Sequence, residues 1–300
     1  MEFPYQVPEA KRIRLIVNTD AKNEADDQFA IAHAILTPRF KIEGIIAAHF
    51  GTLRTNESME ESYAEIEKML ELTHSQEKIR LVRGATKALP DETTPVPSEG
   101  ADLIVEEAMK DDPLPLFVIF LGPLTDLAAA YLKEPGIASR LTAVWIGGGA
   151  YPAGEREFNL QNDIPAANVV FGSPIPLWQV PRDVYSSVRV SLAELAARVR
   201  PHGELGRYLF EQLEAFNRLP THRQEWPKGE MWSLGDSPAV SLLIDDQPYD
   251  FEWREAPYVR GDMTYEQRPG SRTIRVYKRV DARFILEDMY AKLALFAGQA

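Results

Sequence analysis

The sequence has no cysteine, no long apolar run and no cluster of basic residues, and each absence excludes a class of protein. Without cysteine among its 300 residues, the chain forms neither a disulfide framework nor a thiolate metal site. No stretch approaches the roughly 18 apolar residues that a membrane helix needs. The N-terminal stretch also lacks the hydrophobic region of a signal peptide. We therefore expect a soluble, cytoplasmic protein that does not bind membranes.

The charge balance argues against nucleic acid as a partner. The formal net charge is −12, and no basic patch is present along the chain. Hydrophobic residues make up 45% and charged residues 26% of the sequence, as in ordinary globular proteins. A chain of 300 residues buries a large core, and it contains no internal repeat or linker. We therefore predict one domain over residues 1–300.

Strand-like and helix-like segments alternate along the chain. The predicted strands cover residues 13–17, 41–48, 81–82, 116–121, 142–146 and 175–180, with antiparallel strands in 250–280. The predicted helices cover residues 26–36, 58–72, 101–110, 122–130, 191–199, 204–218, 238–244 and 282–296, with a loop at 219–236. Ser58 and Glu61 have the spacing of a capping box. This alternation predicts an α/β fold: an open, mostly parallel, doubly wound (Rossmann-like) sheet with helices on both faces.

Acidic residues cluster where the first strand ends and the first helix begins. Asp20 follows the apolar strand, Asp26 and Asp27 open the helix, and Glu24 lies in the loop between them. In open α/β sheets this edge is where ligands bind. One interpretation is that acids simply suit the positive end of a helix dipole. The other is a metal site, because carboxylates this close repel each other unless a hard divalent cation with oxygen ligands neutralises them.

The same stretch, NTDAKNEADDQFA, resembles the N-terminal signature DxDxGxDDxxA of the inosine-uridine nucleoside hydrolases. It departs from that signature at Asn18, which replaces the first acid. The loop between Asp20 and Asp26 is also two residues longer. The expected architecture is therefore that of a nucleoside hydrolase.

Further segments resemble the motifs of this family, and they follow in the same order along the chain. GPLTDLA (122–128) is similar to GPLTN, with Asp126 in place of the asparagine. A glycine-rich turn (146–150), EFN (157–159) and DIPAA (163–167) follow. GDSPAV (235–240) resembles HDPxAV, with Gly235 in place of the histidine, and RVDARFILEDMY (279–290) resembles the closing helix.

The resemblance implies a role for each matching residue. The calcium ligands would be Asp20, Asp27, the Thr125 carbonyl and Asp236. Asp20 would also act as the general base toward a water molecule held by Ca²⁺. The residues expected to contact the substrate, chiefly its sugar, are Asp26, Asn23, Glu157, Asn159 and His49.

The predicted function is thus hydrolysis of the N-glycosidic bond of a ribonucleoside, or a related riboside, to ribose and free base. Two alternatives stay open. A phosphate-processing hydrolase with magnesium would need a nucleophile where Asn18 stands, and a binding protein would keep the metal and sugar site without turnover. The resemblance also leaves open a homo-oligomer, either a dimer or a tetramer.

The leaving group is the least defined part of the prediction. Gly235 has no side chain to protonate a departing base. Either another imidazole does so, His222 or His49, or the substrate carries a leaving group that needs little help. We expect the second, together with ordinary loop packing for Trp226 and Trp232.

Overall fold

The central feature of the fold is an eight-stranded sheet. The computed structural model describes residues 3–219 and 229–298 of the chain. Within these ranges the strands are β1 (Ile13–Thr19), β2 (Phe40–Ala47), β3 (Leu81–Arg83), β4 (Leu116–Phe120), β5 (Leu141–Ile146), β6 (Leu177–Val180), β7 (Arg189–Ser191), β8 (Met231–Ser233), β9 (Phe251–Glu255), β10 (Tyr258–Val259), β11 (Tyr265–Glu266) and β12 (Thr273–Tyr277).

The helices of the same ranges connect these strands. They are α1 (Asp27–Ile35), α2 (Ser58–Leu72), α3 (Glu99–Met109), α4 (Thr125–Lys133), α5 (Phe158–Asn162), α6 (Ile164–Gly172), α7 (Arg182–Tyr185), α8 (Leu192–Arg198), α9 (Gly203–Asn217), α10 (Ser237–Ser241) and α11 (Ala282–Ala297). Two short 3₁₀ helices lie at Glu9–Lys11 and Pro135–Ser139. None of the helices in the described ranges has the length and apolarity to cross a membrane.

The strand order places β1 at the point where the sheet changes direction. The order is β3-β2-β1-β4-β5-β6-β12-β9, and only β9 runs antiparallel to its neighbour in this sheet. After β1 the chain adds β2 and then β3 on one side of the sheet. It then crosses back to form β4 on the other side of β1 and continues through β5 to β6. The connections after β1 and β4 therefore diverge to opposite sides, which opens a crevice at their carboxyl ends. The predicted fold class is confirmed.

Helices cover both faces of the sheet, because the central strands are apolar on both sides. Along β1, Leu15 and Val17 pack in one core, and Ile16 packs in the other. The first core contains residues of α1, α2 and α9 to α11, and the second contains residues of α3, α4 and α6. Successive side chains of a strand point to opposite faces, so a strand buried on both sides reads as a continuous apolar run.

Three local predictions need correction. The predicted loop at 219–236 contains β8, which pairs antiparallel with β7; three-residue strands are too short to show a period. The strands in 250–280 pair antiparallel as predicted, but β12 also joins β6 in parallel. Ser58 is the first residue of α2 rather than its cap, and its hydroxyl accepts a hydrogen bond from the Phe50 N–H (3.3 Å). A contact from outside the helix thus replaces the predicted capping box.

Candidate active site

The predicted acidic cluster lies at the carboxyl end of β1. Asp20 follows the last strand residue directly, and Asp26 is the cap residue of α1, which begins at Asp27. All three are buried. The Thr19 hydroxyl donates a hydrogen bond to Asp27 Oδ1, which fixes this carboxylate against the strand. Asp20 also lies close to the segment that follows β4. Residue 122 in that segment is a glycine, and a Cβ atom at this position would lie 2.8 Å from Asp20 Cγ.

A fourth carboxylate comes from a distant part of the chain. Asp236 is buried as the cap residue of α10, which packs against α1. Carboxylate oxygens of Asp26, Asp27 and Asp236 all lie within 4.8 Å of one another. The trio therefore contains Asp26, for which we predicted a sugar contact, and not Asp20. The division of these acids between metal and sugar stays a prediction.

These carboxylates face a small cavity that also contains the predicted sugar-binding residues. Its volume is about 30 Å³. It is lined by Asp20, Asn23, Glu24, Asp26, Asp27, Leu121, Ile146, Glu157, Phe158, Asn159, Tyr185, Gly235 and Asp236. The structure thus brings together every predicted site residue except His49 and Thr125, whose positions are described below.

The pKa values of all four carboxylates in this cluster are raised. Burial first, and then the neighbouring carboxylates, raises the pKa of Asp20 and of Asp236 well above the ordinary value. Burial and Glu24 do the same for Asp26. Burial raises the pKa of Asp27 to about 7, although hydrogen bonds with Thr19 and Asp236 act in the opposite direction. No lysine or arginine of residues 3–219 and 229–298 forms an ion pair with any of these four acids.

The donor set fits a hard divalent cation. Two further observations point to a ligand: Asp20 Oδ2 and Asn23 Oδ1 are buried and have no hydrogen-bond partner in the part of the chain that the structure describes. The side chains around them offer oxygen atoms and neither sulfur nor imidazole nitrogen. Hard cations such as Ca²⁺ bind oxygen ligands of this kind, whereas zinc favours nitrogen and sulfur.

The side of the cavity where we predicted sugar contacts is built by the first turn of α5. Glu157 is the cap of this helix, and its carboxylate accepts hydrogen bonds from backbone N–H groups of Gly148 (2.8 Å), Asn159 (3.1 Å) and Leu160 (2.8 Å). It also accepts a hydrogen bond from the Tyr185 hydroxyl (2.9 Å).

Asn159 is held by the ends of two neighbouring strands. Its Nδ2 donates to the carbonyl oxygens of Leu121 (2.7 Å) and Ile146 (2.9 Å). Both amide hydrogens are then used. The Oδ1 atom is the part of this side chain that can meet a ligand hydroxyl.

His49 and Thr125 are buried beside the cavity without lining it. His49 Nδ1 accepts a hydrogen bond from the Gly51 N–H (3.2 Å), so its Nε2 is the atom that donates to Thr125 Oγ1 (2.9 Å). The Thr125 hydroxyl in turn donates to Asp163 Oδ2 (2.7 Å). Burial lowers the pKa of His49 to about 4, so this imidazole is neutral. Its contact with substrate and the Thr125 carbonyl contact with metal stay predictions; His222 and Trp226 lie outside the described residues.

The two departures from the family motifs at Asn18 and Asp126 touch each other. Asn18 Nδ2 donates to Asp126 Oδ2 (2.9 Å), and Asp126 Oδ1 accepts from the Ser98 hydroxyl (2.6 Å) and the Ala85 N–H (2.9 Å). The acid and the amide have therefore exchanged places across one buried contact. This exchange keeps the start of α4 bonded to β1.

Sequence reasoning missed two aromatic residues of the site. Phe158 lies inside a motif that drew attention only to its neighbours, and Arg54 lies over its ring at 5.8 Å. Tyr185 follows β6 by five residues, at the same sheet edge as Asp20. That position was the available signal, since ligands bind at the carboxyl ends of the strands.

Comparison with known proteins agrees with this geometry. Residues 15–287 match the family described as inosine-uridine preferring nucleoside hydrolase. Uridine nucleosidase 1 from Arabidopsis thaliana is 27% identical over 222 residues, which cover 65% of this chain and 65% of that protein. The alignment thus spans just under two thirds of the plant protein. The pyrimidine-specific ribonucleoside hydrolase RihA of Salmonella enteritidis is 23% identical and covers 71% of this chain and 72% of its own.

Solved structures with a similar fold also carry the name nucleoside hydrolase. A purine-preferring ribonucleoside hydrolase from Gardnerella vaginalis superposes with a TM-score of 0.79 at 20% identity, over 96% of this chain and 100% of the other. An inosine-guanosine nucleoside hydrolase gives 0.73 at 23% identity, over 94% and 98%. The resemblance predicted from the motifs is confirmed. The chain belongs to the inosine-uridine preferring nucleoside hydrolase family, a family of N-glycosyl hydrolases.

Proposed function

We propose that this chain hydrolyses the N-glycosidic bond of a ribonucleoside or related riboside to ribose and free base, with Ca²⁺ as cofactor. One domain over residues 1–300 would contain the whole site. The observation that carries this proposal is a group of four buried carboxylates that have no cation partner among the described residues. They lie beside Glu157 and Asn159, at the switch point of the sheet.

The proposed calcium ligands are the carboxylates of Asp20, Asp27 and Asp236 and the carbonyl oxygen of Thr125. Their burial and mutual repulsion support this assignment, because a divalent ion would offset the charge that raises their pKa values. When bound, Ca²⁺ lowers the pKa of a water molecule in its coordination sphere and can accept sugar hydroxyls.

Asp20 is the proposed general base. Its Oδ2 atom is buried without a hydrogen-bond partner in the described ranges, so this oxygen is available to take the proton of the attacking water. The water oxygen then forms a bond to the anomeric carbon. The bond from that carbon to the base nitrogen breaks, and its electron pair leaves with the base through an oxocarbenium-like transition state.

Residues on the other wall of the cavity would hold the sugar. Asp26, Asn23 and Asn159 offer oxygen atoms to ribose hydroxyls, and Glu157 offers a carboxylate. These contacts would fix the anomeric carbon relative to Asp20, and such positioning removes entropy from the barrier.

The leaving group would receive little help. Gly235 has no side chain, and both nitrogens of His49 are already hydrogen-bonded. We therefore expect slow hydrolysis of inosine and uridine and faster hydrolysis of p-nitrophenyl riboside, with little effect of His222→Ala on the latter. Rapid inosine cleavage that collapses in His222→Ala would identify that imidazole as the acid instead.

The test is a product assay of the calcium-loaded protein on inosine, uridine and p-nitrophenyl riboside. Release of free ribose with the base or nitrophenol supports the proposal. Release of phosphate from a panel of phosphate esters, or binding of ribosides without any product, would overturn it. An Asp20→Asn variant identifies any contaminating activity, because that variant should be inactive.

A further inference from the structure

We propose that Tyr185 is a positioning and specificity-determining residue: its ring takes the space of the side chain absent at Gly235, and its hydroxyl holds Glu157 until a sugar hydroxyl replaces it. The inference rests on the proposed function, since it assumes that Glu157 binds a sugar. It follows from two independent contacts, one made by the ring and one made by the hydroxyl.

The ring contact is steric. A Cβ atom built on Gly235 would lie 2.9 Å from Tyr185 Cδ2 and 3.5 Å from its Cε2, and 3.3 Å from Asp26 Oδ2. Real Cβ atoms essentially never approach a neighbour so closely, so any larger residue at position 235 requires the ring to move. The aglycone side of the cavity is thus formed by a phenol ring and not by a side chain at position 235.

The hydroxyl contact completes the hydrogen bonding of Glu157. An ionised carboxylate has about four lone-pair positions. Backbone N–H groups fill three of them, and the Tyr185 hydroxyl fills the fourth at 2.9 Å. The backbone donors belong to the start of α5 and the glycine turn, so they cannot leave without unfolding that turn. Tyr185 is the donor that can rotate away.

A ribose hydroxyl therefore reaches Glu157 by taking the place of the Tyr185 hydroxyl. The exchange preserves the number of hydrogen bonds on Glu157. It also enlarges the cavity, whose 30 Å³ in the present conformation is room for about one water molecule. Rotation of one side chain would then open the sugar side at Glu157 and the aglycone side at Gly235 together.

The first test measures ribose binding, which does not depend on turnover. Tyr185→Phe keeps the ring and removes the competing donor, so we expect the dissociation constant of ribose to fall about fivefold to tenfold. The measurement is isothermal titration of calcium-loaded protein. Tyr151→Phe is the matched control: it removes another buried hydroxyl, which donates to Gln179 Oε1 at 2.9 Å and does not line the cavity, and it should leave ribose binding unchanged. Unchanged or weaker ribose binding by Tyr185→Phe would overturn the exchange.

The second test measures the steric contact by a double-mutant cycle. Gly235→Ala in the otherwise native chain should lower the melting temperature and raise the KM for p-nitrophenyl riboside at least threefold. In a Tyr185→Ala background the same change should have a much smaller effect on both, because the ring is gone and only the 3.3 Å contact with Asp26 remains. Additive effects would overturn the inference.

The two tests separate this inference from the function on which it rests. If the native protein hydrolyses ribosides while both tests give the contrary results, only the role of Tyr185 is wrong. If the native protein neither binds ribose nor forms product, the proposed function and this inference fall together.

Discussion

Two groups of ionisable residues touch helix α1, and they differ in how their charge is balanced. At the start of the helix lies the cluster of Asp20, Asp26, Asp27 and Asp236, which we call the acidic cluster. Further along the same helix, His33 Nε2 lies 2.7 Å from Asp288 Oδ2 of α11. Lys292, also on α11, contacts both Asp288 and the Thr37 hydroxyl (3.0 Å). We call His33, Asp288 and Lys292 the paired cluster.

The paired cluster contains its own cation. Hydrogen bonding to His33 and the nearby Lys292 charge overcome the effect of burial and hold the pKa of Asp288 below its ordinary value. In the acidic cluster every pKa moves upward, because burial and like charge act together. Asp288 is also less deeply buried, with 25% of its side chain exposed, so both its neighbours and its depth distinguish it from the acidic cluster. The acidic cluster could hold a metal ion in place of such a cation, and four predictions test that difference.

The largest effect is expected at Asp20. Asp20→Asn removes the proposed base and a charge from the metal site, so kcat/KM for p-nitrophenyl riboside should fall about 10²- to 10⁴-fold. Steady-state kinetics of purified protein measure this loss. Asp102→Asn, which changes an exposed carboxylate paired with Lys133, is the control and should keep native kinetics. Near-native activity of Asp20→Asn would refute the mechanism.

The next largest effect is expected when the paired cluster loses its lysine. Lys292→Met leaves Asp288 without its internal cation and should lower the free energy of unfolding by about 3 kcal/mol, with or without calcium. Urea unfolding in both conditions measures it. The double variant Lys292→Met/Asp288→Asn should recover most of the loss, because no unpaired charge remains. A loss that calcium repairs would mean that the two clusters are not independent.

Removing calcium should destabilise only the acidic cluster. At a calcium concentration about 100 times its dissociation constant, binding contributes about 2.7 kcal/mol to stability. A chelator should therefore lower the melting temperature of the native protein and leave that of Asp27→Asn almost unchanged. Zinc, or no metal at all, in the calcium-supplemented native protein would contradict the assignment.

Counted per pH unit, the smallest effect is the pH dependence of the metal-free protein. The pKa of Asp27 is about 7 in the folded state against an ordinary 3.8, so between these values the folded state holds a proton that the unfolded state has released. Stability from this group is complete below pH 3.8 and is lost as the pH rises toward 7, by at most about 1.4 kcal/mol per pH unit. Urea unfolding in chelator should show this fall, and Asp27→Asn should reduce it. A slope that Asp27→Asn leaves unaltered would exclude Asp27 as its source.

The part of the fold that could be predicted from the sequence is the part encoded locally. The strand β1, the loop and the start of α1 follow from an apolar run, polar residues and an alanine-rich segment, each read within a few residues. The same local pattern brought Asp20, Asp26 and Asp27 to one sheet edge. The predicted contribution of Asp236 needed the family motif, because a distant segment supplies it.

What could not be predicted depends on contacts between distant residues. Asn18 and Asp126 read as two separate departures from the family pattern, since 108 positions separate them. The side chain of His49 turns toward Thr125, although its place at a strand end is equally compatible with the cavity. Tyr185 carries no motif, and its importance depends on the missing side chain at Gly235. The periodicity of apolar residues along the chain gives no information about these contacts.

The two hydrogen bonds that fix the Asn159 side chain limit how substitutions can change the site. Its amide bridges carbonyls at the ends of β4 and β5, which are hydrogen-bonded neighbours about 4.8 Å apart. The spacing of paired strands is among the least variable dimensions of a protein, so the oxygen that we propose to bind the sugar, Asn159 Oδ1, is positioned by the sheet itself. Tyr185 and Gly235 belong to a four-residue helix and a connecting segment. Under the proposed function, the sugar preference would be tied to the sheet, whereas the preference for the leaving group could change through substitutions that leave the sheet unaltered.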